Sequence, residues 1–348
     1  MPSPLRLRLQ HAVRPFRSAS RTARVLVTVG LLITIVFGVA AFLAPTFYRY
    51  DGEQYRVEQP DGSFEQLPRL APPSAEHPLG TTRDRYDVLA RIIDGGRLAL
   101  AVVLFSTLIA MLIGVPLGLL SGYRGGKLDR VLVTVMDAVY VFPPLLLAII
   151  VAFLLQAYFA PGVPSAAAAV GVVYIPQYFR VVRNHTLSVK QEPYVEAARS
   201  LGAKERTVIS RYVLFNVIQS VPVIFTLNAA DAVLTLASLG FLGYGVQPPT
   251  PEWGYDISQA IIDITSGVWW TALWPGVAIV TLVTALTLVG EGLNDVINPL
   301  LRARGAAGAK LDAAADGEDL GEPANVDPLS PGTEDGSGPG LAGGGFRS

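Results

Sequence analysis

Three carboxylates fall inside or against long uncharged runs of this sequence: Asp137, Asp231 and Glu291. A carboxylate in hydrocarbon is energetically expensive, so such residues mark functional sites by default. Only Asp231 lies deep in its run, as the one charged residue between Tyr212 and Glu252. Two chemistries suit it. One is a proton-carrying acid with a burial-raised pKa; the other is a polar group that bonds a neighbouring helix or faces a water-filled path. Little else in the chain offers reactive chemistry. His11, His77 and His185 are far apart and show no metal-ligand spacing. There are no cysteines, which excludes disulfides, thiolate metal sites and cysteine nucleophiles. Gly125-Gly126-Lys127 is followed by Leu128 and lacks the upstream glycine of a phosphate-binding loop. No catalytic residue, metal site or cofactor is expected, and no ATP hydrolysis by this chain alone.

The elements that would position Asp231 follow from the distribution of charge. Of the 348 residues, 51% are hydrophobic and only 16% charged, with a mean hydropathy of +0.43. A soluble domain carries about 25% charged residues, so the composition points to a membrane protein. A spanning helix needs about 20 apolar residues. The uncharged gaps accordingly place six helices near 25–45, 98–121, 138–157, 165–182, 217–243 and 271–293. The longest gap, Ala138 to Phe179, holds two of them, with the turn at Ala160-Pro161-Gly162-Val163-Pro164. Asn228-Ala229-Ala230-Asp231-Ala232 has neither Gly nor Pro, so Asp231 is placed within one long helix and not in a turn. The expected fold class is an all-α membrane protein with six transmembrane helices. Gly114, Gly118 and Gly122 form a small-residue face for close helix contact. Pro116, Pro143, Pro144 and Pro222 invite kinks.

Basic residues mark the expected cytoplasmic flanks. The arm 1–24 carries Arg6, Arg8, Arg14, Arg17, Arg21 and Arg24 and no acid. Arg124, Lys127 and Arg130 join the second and third spans, and seven basic residues lie between Arg180 and Arg211. Gly245 to Trp270 has no basic residue but carries Glu252, Asp256 and Asp263. Both termini are therefore expected in the cytoplasm. The first apolar run exceeds a signal peptide in length and reads as an uncleaved span. The arginine arm reads as a topology signal beside lipid, with no nucleic-acid role. Residues 46–97 form an extracytoplasmic loop, 98–302 a five-helix core with an inner loop at 183–214, and 303–348 an acidic tail expected to be disordered.

That inner loop has more structure than a connector needs. Glu196 to Leu201 is rich in helix formers, Gly202 can end a helix, and Lys204 to Leu214 resumes a helical pattern. Val195, Ala198 and Leu201–Gly202 are expected on one face. A helix presented this way fits a groove on a soluble partner.

Glu196-Ala197-Ala198, three residues, then Gly202 resembles the EAA motif of binding-protein-dependent ABC transporter permeases. Ala237-Ser238-Leu239-Gly240-Phe241-Leu242-Gly243-Tyr244-Gly245, running on to Glu252-Trp253-Gly254, is similar to the segment after the fifth span in permeases of the dipeptide/oligopeptide/nickel type. His77-Pro78-Leu79-Gly80-Thr81 with Asp87-Val88-Leu89-Ala90-Arg91, and Gly290-Glu291-Gly292-Leu293-Asn294-Asp295 with Pro299, resemble two further segments of that branch. The likeness covers roughly 25–304. Three positions depart from it. The family usually has Pro where Phe215 stands, often an acid where Leu236 stands, and Gly-Arg where Arg85-Tyr86 stand.

The resemblance implies a MetI-like importer permease fold and a subunit of an ATP-driven importer in the cell membrane. Its implied partners are a second homologous permease, two ABC ATPase subunits and an extracytoplasmic solute-binding protein. Glu196, Ala197, Ala198 and Gly202, with Leu214 closing the segment, would form the ATPase-coupling loop, and Asp231 would lie on the translocation path. Short peptides are the expected cargo, with nickel or another small solute as the alternative. Two readings of other classes are a proton-coupled carrier using Asp231 and a membrane scaffold without transport.

Overall fold

The computed structural model of the chain describes residues 20–47, 56–58, 64–156, 158 and 162–297. Most of the basic arm and all of the acidic tail, expected at 1–24 and 303–348, lie outside the described residues. Helix α1 (Arg21–Phe47) opens the described chain. A small antiparallel hairpin, β1 (Arg56–Glu58) and β2 (Phe64–Gln66), pairs Arg56 with Gln66 and Glu58 with Phe64. It is the only sheet among the described residues, which otherwise show one isolated bridge between Thr81 and Asp87. Then come α2 (Val88–Arg124), α3 (Gly126–Val141), α4 (Pro144–Gln156), α5 (Val163–Val189) and the short α6 (Pro193–Ser200). Helix α7 (Glu205–Phe241) runs unbroken past Asp231, as the absence of Gly and Pro around that residue implied. Helices α8 (Trp253–Ile264) and α9 (Trp270–Ile297) complete the chain.

Five of these helices, α1, α2, α5, α7 and α9, are long and apolar enough to cross a bilayer. The third span differs from the single helix expected at 138–157. Helices α3 and α4 meet at 98°, broken at Phe142-Pro143. The cause is local: a residue before proline is pushed out of the α region, and Phe142 is extended at φ −66, ψ 135. At 13 residues, α4 alone is about 20 Å long, too short for a hydrocarbon core of about 30 Å.

Helices also outrun the uncharged gaps. Helix α2 begins at Val88, ten residues before the gap at Leu98. Asp87 caps it by accepting from the Ala90 amide at 3.0 Å, and His77 Nδ1 lies 3.0 Å from the same carboxylate. The charged first turns of α2 thus extend beyond the apolar part.

The core is built on α2 against α5. Gly114, Gly118 and Gly122 face the Ile175, Phe179 and Arg183 carbonyls, and an added β-carbon would lie 2.7, 2.5 and 2.7 Å from them. One four-residue ridge thus meets another, and the backbones touch where side chains would otherwise separate them. Tyr178, Phe179, Leu236, Leu239 and Leu282 are fully buried around this contact. Leu236, one of the positions that depart from the resembled pattern, is 2% exposed.

Candidate functional site

The inner loop forms as its composition implies. Pro193 opens α6 after Glu192, whose extended backbone turns the chain into the helix. Val195 and Ala198 are buried, while Glu196 and Ala197 point outward. At the end, Gly202 takes φ +78, its amide donates to the Arg199 carbonyl at 2.9 Å, and the Ala203 amide donates to Ala198 at 3.1 Å. This pair of bonds is a Schellman cap, which glycine fits without strain. Apart from its chain neighbours, no atom of the described residues lies within 4 Å of where a Gly202 side chain would begin.

One expectation for this loop is corrected. Leu201 is 88% exposed instead of joining Val195 and Ala198, because the cap residue lies past the last helical turn and loses its periodicity. Leu214 packs partly buried against the core. The start of α7 widens into a π turn at Val208–Val213, which buries Val208 and Val213. The open face is therefore made by Glu196, Ala197, Leu201 and Gly202.

This end is tied to the α2–α3 corner by polar contacts that the sequence reading did not assign. Arg183 donates to both carboxylate oxygens of Asp129, at 2.6 and 2.7 Å. Lys190 Nζ donates to the Gly122 carbonyl at 2.8 Å, and Arg124 Nε to Glu205 at 2.9 Å. The Arg199 guanidinium sits 5.0 Å over the Tyr123 ring. Helix α6 is thus held both by the C-terminal end of α5 and by the corner after α2.

Along α7, Asp231 lines an open groove of about 510 Å³ together with Tyr140, Gln177, Arg180, Asn228 and Thr287. Arg180 donates to Asp137 at 2.7 Å and lies 3.8 Å over the Tyr140 ring. The structure therefore brings together Asp231 and the partner of Asp137, two of the three acids singled out in the sequence. Glu291 stands apart, exposed near the end of α9.

The opposite end of the bundle is locked by a second set of charges. Arg91 Nε donates to Asp256 at 2.8 Å, and both side chains are over nine-tenths buried. Arg83 Nε donates to Asp263 at 2.8 Å. Trp253 Nε1 donates to the Ile92 carbonyl at 3.1 Å, and Trp270 Nε1 to that of Thr81 at 3.2 Å. Glu252 caps α8, accepting from the Gly254 and Tyr255 amides at 3.0 and 2.7 Å. Burial pushes its carboxyl up to about 7, and burial likewise raises that of Asp256. Nearby, Arg85 takes φ +66, a left-handed conformation that favours glycine. The runs of residues had flagged these segments as similar to a family, but partners 165 and 180 positions apart leave no local pattern to read.

Comparison with known proteins places this geometry. The family described as binding-protein-dependent transport system inner membrane component matches residues 114–303. The glutathione transport system permease protein GsiD of Pectobacterium atrosepticum is 37% identical over 278 residues, 80% of this chain and 88% of that protein. The dipeptide transport system permease protein DppC of Alkalihalophilus pseudofirmus is 34% identical over 293 residues, covering 84% and 92%. In fold, the chain is similar to the MetNI methionine ABC transporter in its inward-facing conformations, with a TM-score of 0.50 at 21% identity over 60% of this chain and 96% of that one. With a packed helical core, a capped surface helix on one end and relatives matched along most of their length, the chain belongs to the binding-protein-dependent transport system inner membrane components, the permease subunits of ABC importers.

Proposed function

We propose that this permease pairs with a second, homologous permease and imports short peptides, driven by two ATPase subunits and supplied by an extracytoplasmic binding protein. The α6 end and both termini face the cytoplasm. Glu196, Ala197 and Gly202 form the exposed part of the ATPase-coupling segment, with buried Ala198 and partly buried Leu214 anchoring it to the core, and Asp231 lies on the translocation path. The observation that carries the reading is one run of chain: exposed α6, its Gly202 cap, then α7 continuing through a π turn at Val208–Val213 and a 3-10 turn at Ile218–Ser220 to Asp231. A push on α6 is delivered through α7 to the groove, as a rigid-body switch requires. Dipeptide and glutathione, the cargoes named for the relatives, are both short peptides with a free ammonium group, which favours peptides over nickel.

ATP-driven uptake of a labelled dipeptide by the reconstituted transporter tests the cargo. Uptake of nickel instead, or of peptide by this chain alone under a pH gradient, refutes it. Gly202→Arg tests the coupling. The backbone strain of a non-glycine residue at this φ is about 1–2 kcal/mol, too small to unfold the core, so the variant inserts and assembles. Its partners keep hydrolysing ATP while uptake falls at least tenfold. Normal uptake by Gly202→Arg sinks the coupling assignment.

A further inference from the structure

We infer that the groove beside Asp231 is a cation-selective site that takes the primary ammonium group of the cargo, with Asp231 as its selecting residue. The inference deepens the peptide-import reading and rests on it for the identity of the cargo.

The charge balance of the groove carries the argument. Arg180, its one lining cation, is already committed: Asp137 takes its guanidinium edge at 2.7 Å and Tyr140 covers its face at 3.8 Å. The Asp231 carboxylate has no ion-pair or hydrogen-bond partner among the described residues. One negative charge is therefore left uncompensated at the depth of a spanning helix. Asp231 is exposed to the open groove, and an unpaired carboxylate along a spanning helix is unfavourable. An arriving ammonium group offsets that cost, whereas an arriving carboxylate adds to it.

The rest of the lining suits a small polar guest. Asn228 borders the groove three residues before Asp231 but is buried, at 2% exposure, with its side chain against the Tyr178 hydroxyl. The polar side chain that α7 exposes to the groove is therefore that of Asp231. Gln177 and Thr287 add neutral polar groups from α5 and α9. A volume of about 510 Å³ lies within the usual range for small-molecule sites. A single carboxylate in an open groove also permits release, as a transport pathway needs: a site must attract its cargo without keeping it.

The chain contains no cysteine, so a reporter thiol at Gln177→Cys can be followed by the mass of this subunit in the whole reconstituted transporter. The readout is its reaction rate with a trimethylammonium methanethiosulfonate relative to the sulfonate analogue, each normalised to a free thiol. The cationic reagent is expected to be favoured at least tenfold. Adding Asp231→Asn should reduce that preference about tenfold, whereas Asp231→Glu, which keeps the charge, should retain it. A dipeptide should protect the thiol, its des-amino analogue should not, and Asp231→Asn should abolish the difference. A preference that Asp231→Asn leaves unchanged, or equal protection by both compounds, overturns the proposal. Loss of dipeptide uptake with the Asp231-dependent cation preference intact would instead refute the cargo reading while upholding the cation site.

Discussion

Glu252 sits at 2% exposure on the N-terminus of α8, where its two oxygens accept from the Gly254 and Tyr255 amides. Those amides favour the charged form, but burial outweighs them and moves the carboxyl from 4.5 up to about 7. A folded-state value above the ordinary one means that the fold prefers the neutral acid. Its contribution is full below about 4.5 and is lost as pH rises through about 7, an effect of at most about 3 kcal/mol. Asp256, shifted in the same direction by burial, adds to the slope. The melting temperature of the purified assembly should therefore fall between about pH 5 and pH 8. Glu252→Gln keeps a carbonyl for the cap and removes the titration, so its profile should be clearly flatter. Identical slopes for the two proteins would show that the carboxyl does not titrate in the fold as described.

At the scale of elements, the contact between α2 and α5 depends on three missing side chains. An isopropyl group at Gly118 would meet the Phe179 carbonyl and the Arg183 amide, forcing the helices apart. Overpacking of this kind costs about 1–3 kcal/mol, so Gly118→Val should lower the melting temperature and the yield of assembled transporter. Gly38→Ala on α1 meets no atom within 4 Å and should be neutral or slightly stabilising. Equal effects at the two sites would remove the ridge from the account. The glycine spacing was legible in the sequence because a four-residue repeat has one structural meaning on a helix, although it did not name α5 as the partner. The spans were legible for a similar reason, since charge is excluded from hydrocarbon over a fixed length. Other features were not. Pro143 and Pro144 signalled a kink, but a bend of 98° depends on what receives α4. Leu201 followed the apolar pattern of α6 and still fell outside it, because the cap ends the periodicity one residue earlier. The groove around Asp231 draws on α3, α5, α7 and α9, so only its one acid was visible in the chain.

On the scale of the whole molecule, α2 links two unlike ends. One holds Arg183–Asp129, Arg124–Glu205 and the exposed α6; the other holds Arg91–Asp256, Arg83–Asp263 and the buried Glu252. The first end is rich in basic residues, and between Gly245 and Trp270 the second has none. Retention of basic segments in the cytoplasm would place α6 where an ATPase reaches it and α8 where a binding protein does. The natural lack of cysteine makes that orientation measurable. Leu201→Cys lies on the exposed cap of α6 and Ser266→Cys in the exposed turn after α8, so neither substitution touches the core. A membrane-impermeant maleimide should label Leu201→Cys only in inside-out vesicles and Ser266→Cys only in right-side-out ones. Adding the ATPase subunits to the inside-out vesicles should then slow labelling at Leu201→Cys by covering the α6 surface. The opposite labelling pattern would invert the membrane orientation. Unchanged labelling in the presence of bound ATPase would place the docking surface away from α6.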